Sequence, residues 1–445
     1  MLPIPLLLLS LFVLGVVLGA VVNWAAYTLA WTPRAISPWA RPADQAPPRR
    51  WSDRTPLWGW WGLRRESHLH GRAFWLRPIL VEASMGGAVA WLGWWEIVHR
   101  GLTSQQWLAL TNLGVTPPGI EAPYWTGWAT FGVHTVLLCF MVAASLIDID
   151  EKIIPDAITV PGTLLGLILA AVLPMGLLPH CDVRLQEPIA GVEASGGNFA
   201  RAGIGAYVEP VAAGSPNETS ADLAGAPHWK GLLIGWGCFA LWCVALTPRI
   251  WRGRRGWGKA LSVLAARVMR EVARPPLLWI EVLGAIGIAA VWWVGGAAWC
   301  GLLTSLIGMV GAGAIVWAVR IFGSAALQRE AMGFGDVTLM MMVGSYLGWQ
   351  AGVMAFFIAP FAGLVGGVAQ LIFRRDDMIP YGPFLCLASA AVAVGWGEIW
   401  NAESVQVNFS VPWLVPAALG VCLTLLYPFL LVWRQIKNLR GGSDE

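Results

Sequence analysis

The chain has 445 residues, a formal net charge of +3, 57% hydrophobic residues and only 12% charged ones. An ordinary soluble domain carries roughly 25% charge, and half of that cannot cover a soluble surface of this size. The composition excludes a secreted enzyme, a disordered chain and a nucleic-acid binder with a basic face, and leaves a polytopic membrane protein with lipid as its solvent.

A spanning helix needs about 20 mostly apolar residues. In chain order the pattern predicts spans at 3–24, 79–98, 127–147, 157–176, 231–247, 277–296, 299–322, 337–349, 351–373, 384–399 and 411–433, of which 337–349 and 384–399 are short. The 52 glycines and 29 tryptophans fit this reading, since glycine lets membrane helices pack closely and tryptophan anchors them at the interface. The expected fold class is all-α, a polytopic membrane helical bundle of about 9–11 transmembrane helices.

No basic residue precedes the first span, and the first one is Arg34. A signal peptide has the opposite arrangement, so a retained first helix with its N-terminus outside is expected. The basic segments are 33–78, 248–276, the pair Arg374 and Arg375, and the tail with Arg434, Lys437 and Arg440. With eleven crossings and the N-terminus outside, all four fall on the cytoplasmic side. The domain plan is then a first transmembrane helix at 1–32, a basic cytoplasmic loop at 33–78, and membrane helices with a first acidic motif at 79–176. An inserted external loop, a basic loop and extra helices fill 177–298. Membrane helices with a second acidic motif occupy 299–433, and a cytoplasmic tail follows at 434–445. The 177–230 stretch is rich in Gly, Ala, Pro and Ser and reads as an external loop. None of the seven cysteines forms a CxxC, so neither a zinc site nor a disulfide framework is indicated.

The first acidic motif runs from Ser145 to Asp156 and holds Asp148, Asp150 and Asp156 where an apolar helix ends. Pro155 marks a break, and Asp156 stands where it can cap the next helix. Asp148 lies nearest the apolar span, where an ionisable group is costly and functional by default. The second motif is Met332-Gly333-Phe334-Gly335-Asp336-Val337. Its glycines permit unusual backbone angles, and an extended peptide can pair with such a backbone; a helix N-cap after a flexible loop is the plainer alternative. The derived topology puts Asp148 and Asp336 at the cytoplasmic membrane surface. Two carboxylates held close together share one proton. The ionised one activates water and the protonated one polarises a peptide carbonyl. That is aspartic protease chemistry, and it requires no metal, serine or cysteine.

These residues resemble the type IV prepilin peptidases, membrane aspartic proteases of the GxGD class. The resemblance extends to Leu18–Asn23 at the end of the first helix, to Arg77-Pro78-Ile79-Leu80-Val81-Glu82, and to Ile379-Pro380-Tyr381-Gly382-Pro383-Phe384, in the family's order. It implies that Asp148 and Asp336 form the catalytic dyad, with Asp150, Asp156, Gly333 and Gly335 in support and Glu82 linked to methyl transfer. It further implies cleavage of the basic leader of type IV prepilins or type II secretion pseudopilins, at the cytoplasmic face of the bacterial inner membrane. The implied partners are a substrate with an apolar N-terminal helix and the membrane lipid, with no nucleic acid. Many members then methylate the new N-terminus using S-adenosylmethionine; proteolysis itself uses no cofactor. The 33–78 loop carries no cysteine where many members have two CxxC pairs, so no zinc is expected there. Thr338 stands where the family often has lysine. A proton-coupled membrane transporter, whose carboxylates serve as relays, and an inactive assembly scaffold are the readings from other classes.

Overall fold

A segment in lipid must satisfy its own backbone hydrogen bonds, which is why the apolar stretches become helices. The computed structural model describes residues 3–102 except 35, 41, 43 and 44, then 124–185, 204–210, 228–247, 277–327, 332–373, and 380–428 except 412, 423 and 426. The predicted basic loop at 248–276, Arg374 to Asp377, the tail at 434–445 and most of the 177–230 loop lie outside the described residues.

The helices are α1 (Ile4–Thr28), α2 (Trp58–Leu63), α3 (Ser67–His70), α4 (Leu76–Gly93), α5 (Tyr124–Glu151) and α6 (Asp156–Val172). They continue with α7 (Trp229–Ala245), α8 (Leu277–Val294), α9 (Gly296–Leu327), α10 (Phe334–Phe373), α11 (Gly382–Val394), α12 (Trp396–Asn401) and α13 (Glu403–Ser410). Among the described residues, five helices are long and apolar enough to cross a membrane: Ile4–Thr28, Gly127–Glu151, Leu277–Val294, Gly296–Ala326 and Phe334–Val365. Asp156–Val172, Trp229–Ala245 and Gly382–Val394 are shorter and also apolar. The chain is therefore a helical, multi-pass membrane protein. One departure from the sequence reading stands out. The 177–230 loop contains a two-stranded ribbon, β1 (Pro179–Leu185) with β2 (Ile204–Pro210). The predicted spans 337–349 and 351–373 meet within α10 at a break at Gly348, whose φ of 81° and ψ of 170° only glycine adopts readily.

The chain divides into two compact units. The first comprises 1–162, 178–209 and 357–402; the second comprises 163–177, 210–356 and 403–445. In the first unit α1 lies along α4, and α5 packs against α1, α4 and α11. Small residues set the α1–α4 approach. A Cβ at Gly15 would stand 2.8 Å from the Cα of Gly86, one at Gly19 would stand 2.7 Å from the Cα of Glu82, and one at Gly86 would stand 2.8 Å from Val16 Cγ2. Backbones that close leave no room for a side chain. One turn beyond Gly19, the Asn23 amide reaches the Pro78 carbonyl at 3.0 Å and Glu82 Oε1 at 3.1 Å. In the second unit α9 carries the first half of α10. A Cβ at Gly308 would stand 2.7 Å from the Cα of Gly348, and one at Gly311 would stand 2.7 Å from Trp349 Cβ. Val337, Leu339, Met340, Met341, Met342 and Val343 are wholly buried, so this half of α10 is apolar on every side because every side is covered.

Gly19→Leu must separate α1 from α4. The variant is expected to lose about 1–3 kcal/mol of stability, the usual result of overpacking, read as a lowered Tm in detergent.

Candidate active site

α5 ends where its apolar run ends. The Lys152 N–H closes on the Asp148 carbonyl at 2.8 Å, Lys152 takes a positive φ of 58°, and Pro155 follows. This left-handed C-terminal turn leaves Asp148 on the last helical turn, with the residue 4% exposed. Its Oδ2 accepts the Gly382 backbone N–H at 3.0 Å, from the start of α11. The tripeptide Pro380-Tyr381-Gly382 from the third matching stretch thus meets the first acidic motif within one unit; Ile379 lies outside the described residues.

Asp150 does not share this setting. Residues two apart on a helix do not face each other. Asp150 instead pairs with Arg77 at 2.7 Å and Arg34 at 3.4 Å and keeps 21% side-chain exposure. Neighbouring Glu151 accepts the backbone N–H groups of Trp31 at 2.8 Å and Thr32 at 2.9 Å, as well as the Thr32 hydroxyl. These two acids tie the end of α5 to the segment after α1 and the start of α4. Sequence reading missed Glu151, because nothing in a lone acid beside a helix end reveals its partner. Asp156 is exposed and sits in the first turn of α6. It is not the cap: the Pro155 carbonyl receives the first N–H groups, from Ile158 at 3.0 Å and Thr159 at 3.4 Å.

In the second unit Asp336 lies in the first turn of α10 and is 7% exposed. The glycine loop before it is braced by α9. Arg320 Nε donates to the Met332 carbonyl at 3.0 Å, the Arg320 guanidinium lies 5.3 Å from the centre of the Phe334 ring, and Trp317 meets that ring edge-on at 6.1 Å. A Cβ at Gly333 would stand 3.4 Å from Asp336 Oδ2, an ordinary contact. Thr338 turns its hydroxyl back to the Gly335 carbonyl at 3.1 Å. Gly333 is exposed and Gly335 partly so, which leaves the glycine backbone open to an extended chain.

Glu82 is 1% exposed. Its carboxyl accepts from Asn23 at 3.1 Å, Trp60 Nε1 at 2.7 Å and the Leu57 N–H at 2.5 Å. It thereby knots α1, α2 and α4 together. The cleft it lines with Trp24, Trp39, Arg54 and Trp60 measures about 10 Å³, room for about one water. Among the described residues no group of three or more His, Cys, Asp and Glu side chains converges on a metal position.

A multi-pass helical membrane protein with a buried aspartate at an end of each of two helices is what the fold and these positions define. Two stretches of the chain are similar to a known family. Residues 135–191 and 269–368 match the type IV leader peptidase family, the family the sequence motifs resemble. Proteins the chain is similar to include the prepilin leader peptidase/N-methyltransferase of Aeromonas salmonicida strain A449, 30% identical over 22% of this chain and 39% of the relative. Those of Pseudomonas putida and Pseudomonas aeruginosa PAO1 are 28% and 29% identical, over 29% and 32% of this chain and 43% and 48% of the relatives. The chain thus matches less than half the length of these relatives. No solved structure matches it.

Removing Glu82 leaves three donors without an acceptor, each costing about 1–3 kcal/mol when buried, whereas an exposed ion pair such as Asp150–Arg77 contributes about 0–1 kcal/mol. In detergent melts Glu82→Ala is therefore expected to lower stability by several times the loss seen with Asp150→Asn.

Proposed function

We propose that the chain is a membrane aspartic endopeptidase that removes the basic leader of type IV prepilins or pseudopilins, with Asp148 and Asp336 as its catalytic carboxylates. The observation that carries this reading is that each of the two matched segments contains one buried aspartate at a helix end. The chemistry needs only those two groups. The ionised carboxylate takes a proton from water as the water oxygen bonds to the peptide carbonyl carbon, and the protonated one gives its proton to the carbonyl oxygen. In the second step the first carboxyl returns its proton to the peptide nitrogen and the C–N bond breaks. The second carboxylate takes a hydroxyl proton from the diol. A new acid and a new amine leave, and both aspartates return to their starting states.

In this reading the substrate's apolar helix lies in the bilayer and its cleavage site unwinds at the interface. Gly333 and Gly335 offer backbone to that unwound strand, Asp150 supports by holding the end of α5, and Asp156 offers an exposed carboxylate to a basic leader. The setting is the bacterial inner membrane, N-terminus outside and C-terminus cytoplasmic, as the arginine-rich loops imply. The proposal covers the peptidase half of the relatives' double name.

Purified Asp148→Asn and Asp336→Asn are each expected to lose leader removal by at least about a thousandfold, while still inserting and folding. The substrate is a prepilin from the same genome, and mass spectrometry of its N-terminus is the readout. Cleavage by either variant at the wild-type rate defeats the dyad. A methyl group on the new terminus would add the transferase half to the chain's activity.

A further inference from the structure

The Gly382 N–H belongs to the set of donors at a helix start that have no partner inside the helix. Its neighbours in α11 are accounted for differently. Pro383 has no N–H to offer. The N–H groups of Phe384 and Leu385 return to the Tyr381 carbonyl at 3.1 and 3.2 Å. The first turn of α11 therefore presents the Gly382 N–H alone, and it goes to one oxygen of Asp148. The glycine is not there for its backbone angle, because Gly382 is not among the residues with positive φ. It is there for space. A Cβ would stand 2.7 Å from Asp148 Oδ2, 3.3 Å from Asp148 Cγ and 2.8 Å from Ile154 Cδ1. Asp148 and buried Ile154 form a slot that admits a backbone and no side chain. Gly382 also lies beyond the segments matched to the family, which end at residue 368.

We propose that Gly382 is a positioning residue for the reaction: its N–H fixes the plane of the Asp148 carboxyl, engages Oδ2 as an acceptor, and leaves Oδ1 as the oxygen through which Asp148 takes up and returns its proton. The inference rests on the peptidase reading for its catalytic consequence, and on geometry alone for its structural one. An oxygen already accepting an N–H is the poorer seat for an acid proton, since that proton would point at the donor. Pro383 serves the same end, because a second free N–H beside the first would compete for the carboxyl and blur its orientation.

The experiment compares wild type, Gly382→Ala, Gly382→Ala/Ile154→Val and Asp148→Asn on one prepilin substrate, with melting in detergent as a folding check. A methyl at 382 must push the carboxyl aside by some tenths of an ångström to an ångström, and a misplacement of that order costs up to about a hundredfold in rate. Gly382→Ala is therefore expected to lower kcat by about ten- to a hundredfold, with KM unchanged and the pH–rate profile displaced. Trimming Ile154 gives the new methyl somewhere to go, and the double variant should recover part of the lost kcat. Labelling of Asp148 by a hydrophobic carbodiimide, read by peptide mass spectrometry, should differ between wild type and Gly382→Ala whether or not the substrate is cut. Wild-type kcat, pH profile and labelling in Gly382→Ala, beside a dead Asp148→Asn, would overturn the positioning role and leave the peptidase standing. An active Asp148→Asn would overturn the peptidase reading, and unchanged labelling in Gly382→Ala would then overturn the geometric claim as well. A Gly382→Ala protein that does not fold shifts the test to the double variant: folded but unrecovered, with wild-type Asp148 labelling, it counts against the proposal.

Discussion

A carboxyl group carried into an apolar helical bundle has no water to solvate it, so the protein must supply its donors. In the first unit each buried acid meets this demand in its own way. Glu82 receives three donors from three chain segments. Glu66, wholly buried, faces Arg49 at 3.3 Å and His70 at 3.5 Å. Asp53 accepts the Arg50 backbone N–H at 2.6 Å and pairs with Arg65. Asp148, among the described residues, receives one N–H, on one oxygen. The difference is one of how firmly each carboxyl is tied to its surroundings. An acid with several donors on both oxygens is fixed by the knot it ties, whereas an acid with one oxygen engaged is oriented by a single bond.

Glycine serves this arrangement by distance more than by flexibility. Gly15, Gly19 and Gly86 bring α1 against α4 until Asn23 can reach Glu82. Gly382 brings the start of α11 to Asp148. Where a side chain would separate two backbones by a few ångströms, the hydrogen bond beyond it would lengthen past any useful strength. Gly348 is the exception, required for its angle at the break in α10.

Much of the helix order could be read from hydropathy, because lipid imposes a length and a composition on any segment that crosses it. Seven of the predicted spans, from 3–24 through 299–322, reappear as helices. The boundary read between 337–349 and 351–373 falls within two residues of the break at Gly348. The ribbon of β1 and β2 was hidden in a stretch whose Gly, Ala, Pro and Ser content signals a loop. The two aspartates were readable because carboxyls next to apolar spans are rare. Their neighbours were not: the partners of Asp148 and Asp150 lie 234 and 73 residues away. The buried pair of Glu96 and His134, 2.6 Å apart, was missed for the same reason. Glu96 sits in a π-helical turn, Trp94–Val98, which no residue pattern announces.

The cysteine-free loop at 33–78 shows how a short, polar segment at a membrane surface is kept in one shape. Its small core of Tyr27, Trp60 and Leu63 is too slight to order the loop by burial alone. Charge supplies the rest through Arg49–Glu66 and Arg65–Asp53, whose acids are almost fully enclosed. Such pairs gain little over an apolar core, but losing one partner strands a buried charge, which costs about 3–5 kcal/mol. They therefore define the fold of the loop more sharply than they stabilise it. The consequence reaches the site. The same loop offers Leu57 and Trp60 to Glu82, and Arg34 and Arg77 at its two ends to Asp150. The last turn of α5 is thus gripped by the loop through Asp150 and by α11 through Asp148. Two grips on opposite sides of one helical turn restrain its rotation about the helix axis, and rotation is the motion that would carry the Asp148 carboxyl away from the Gly382 N–H.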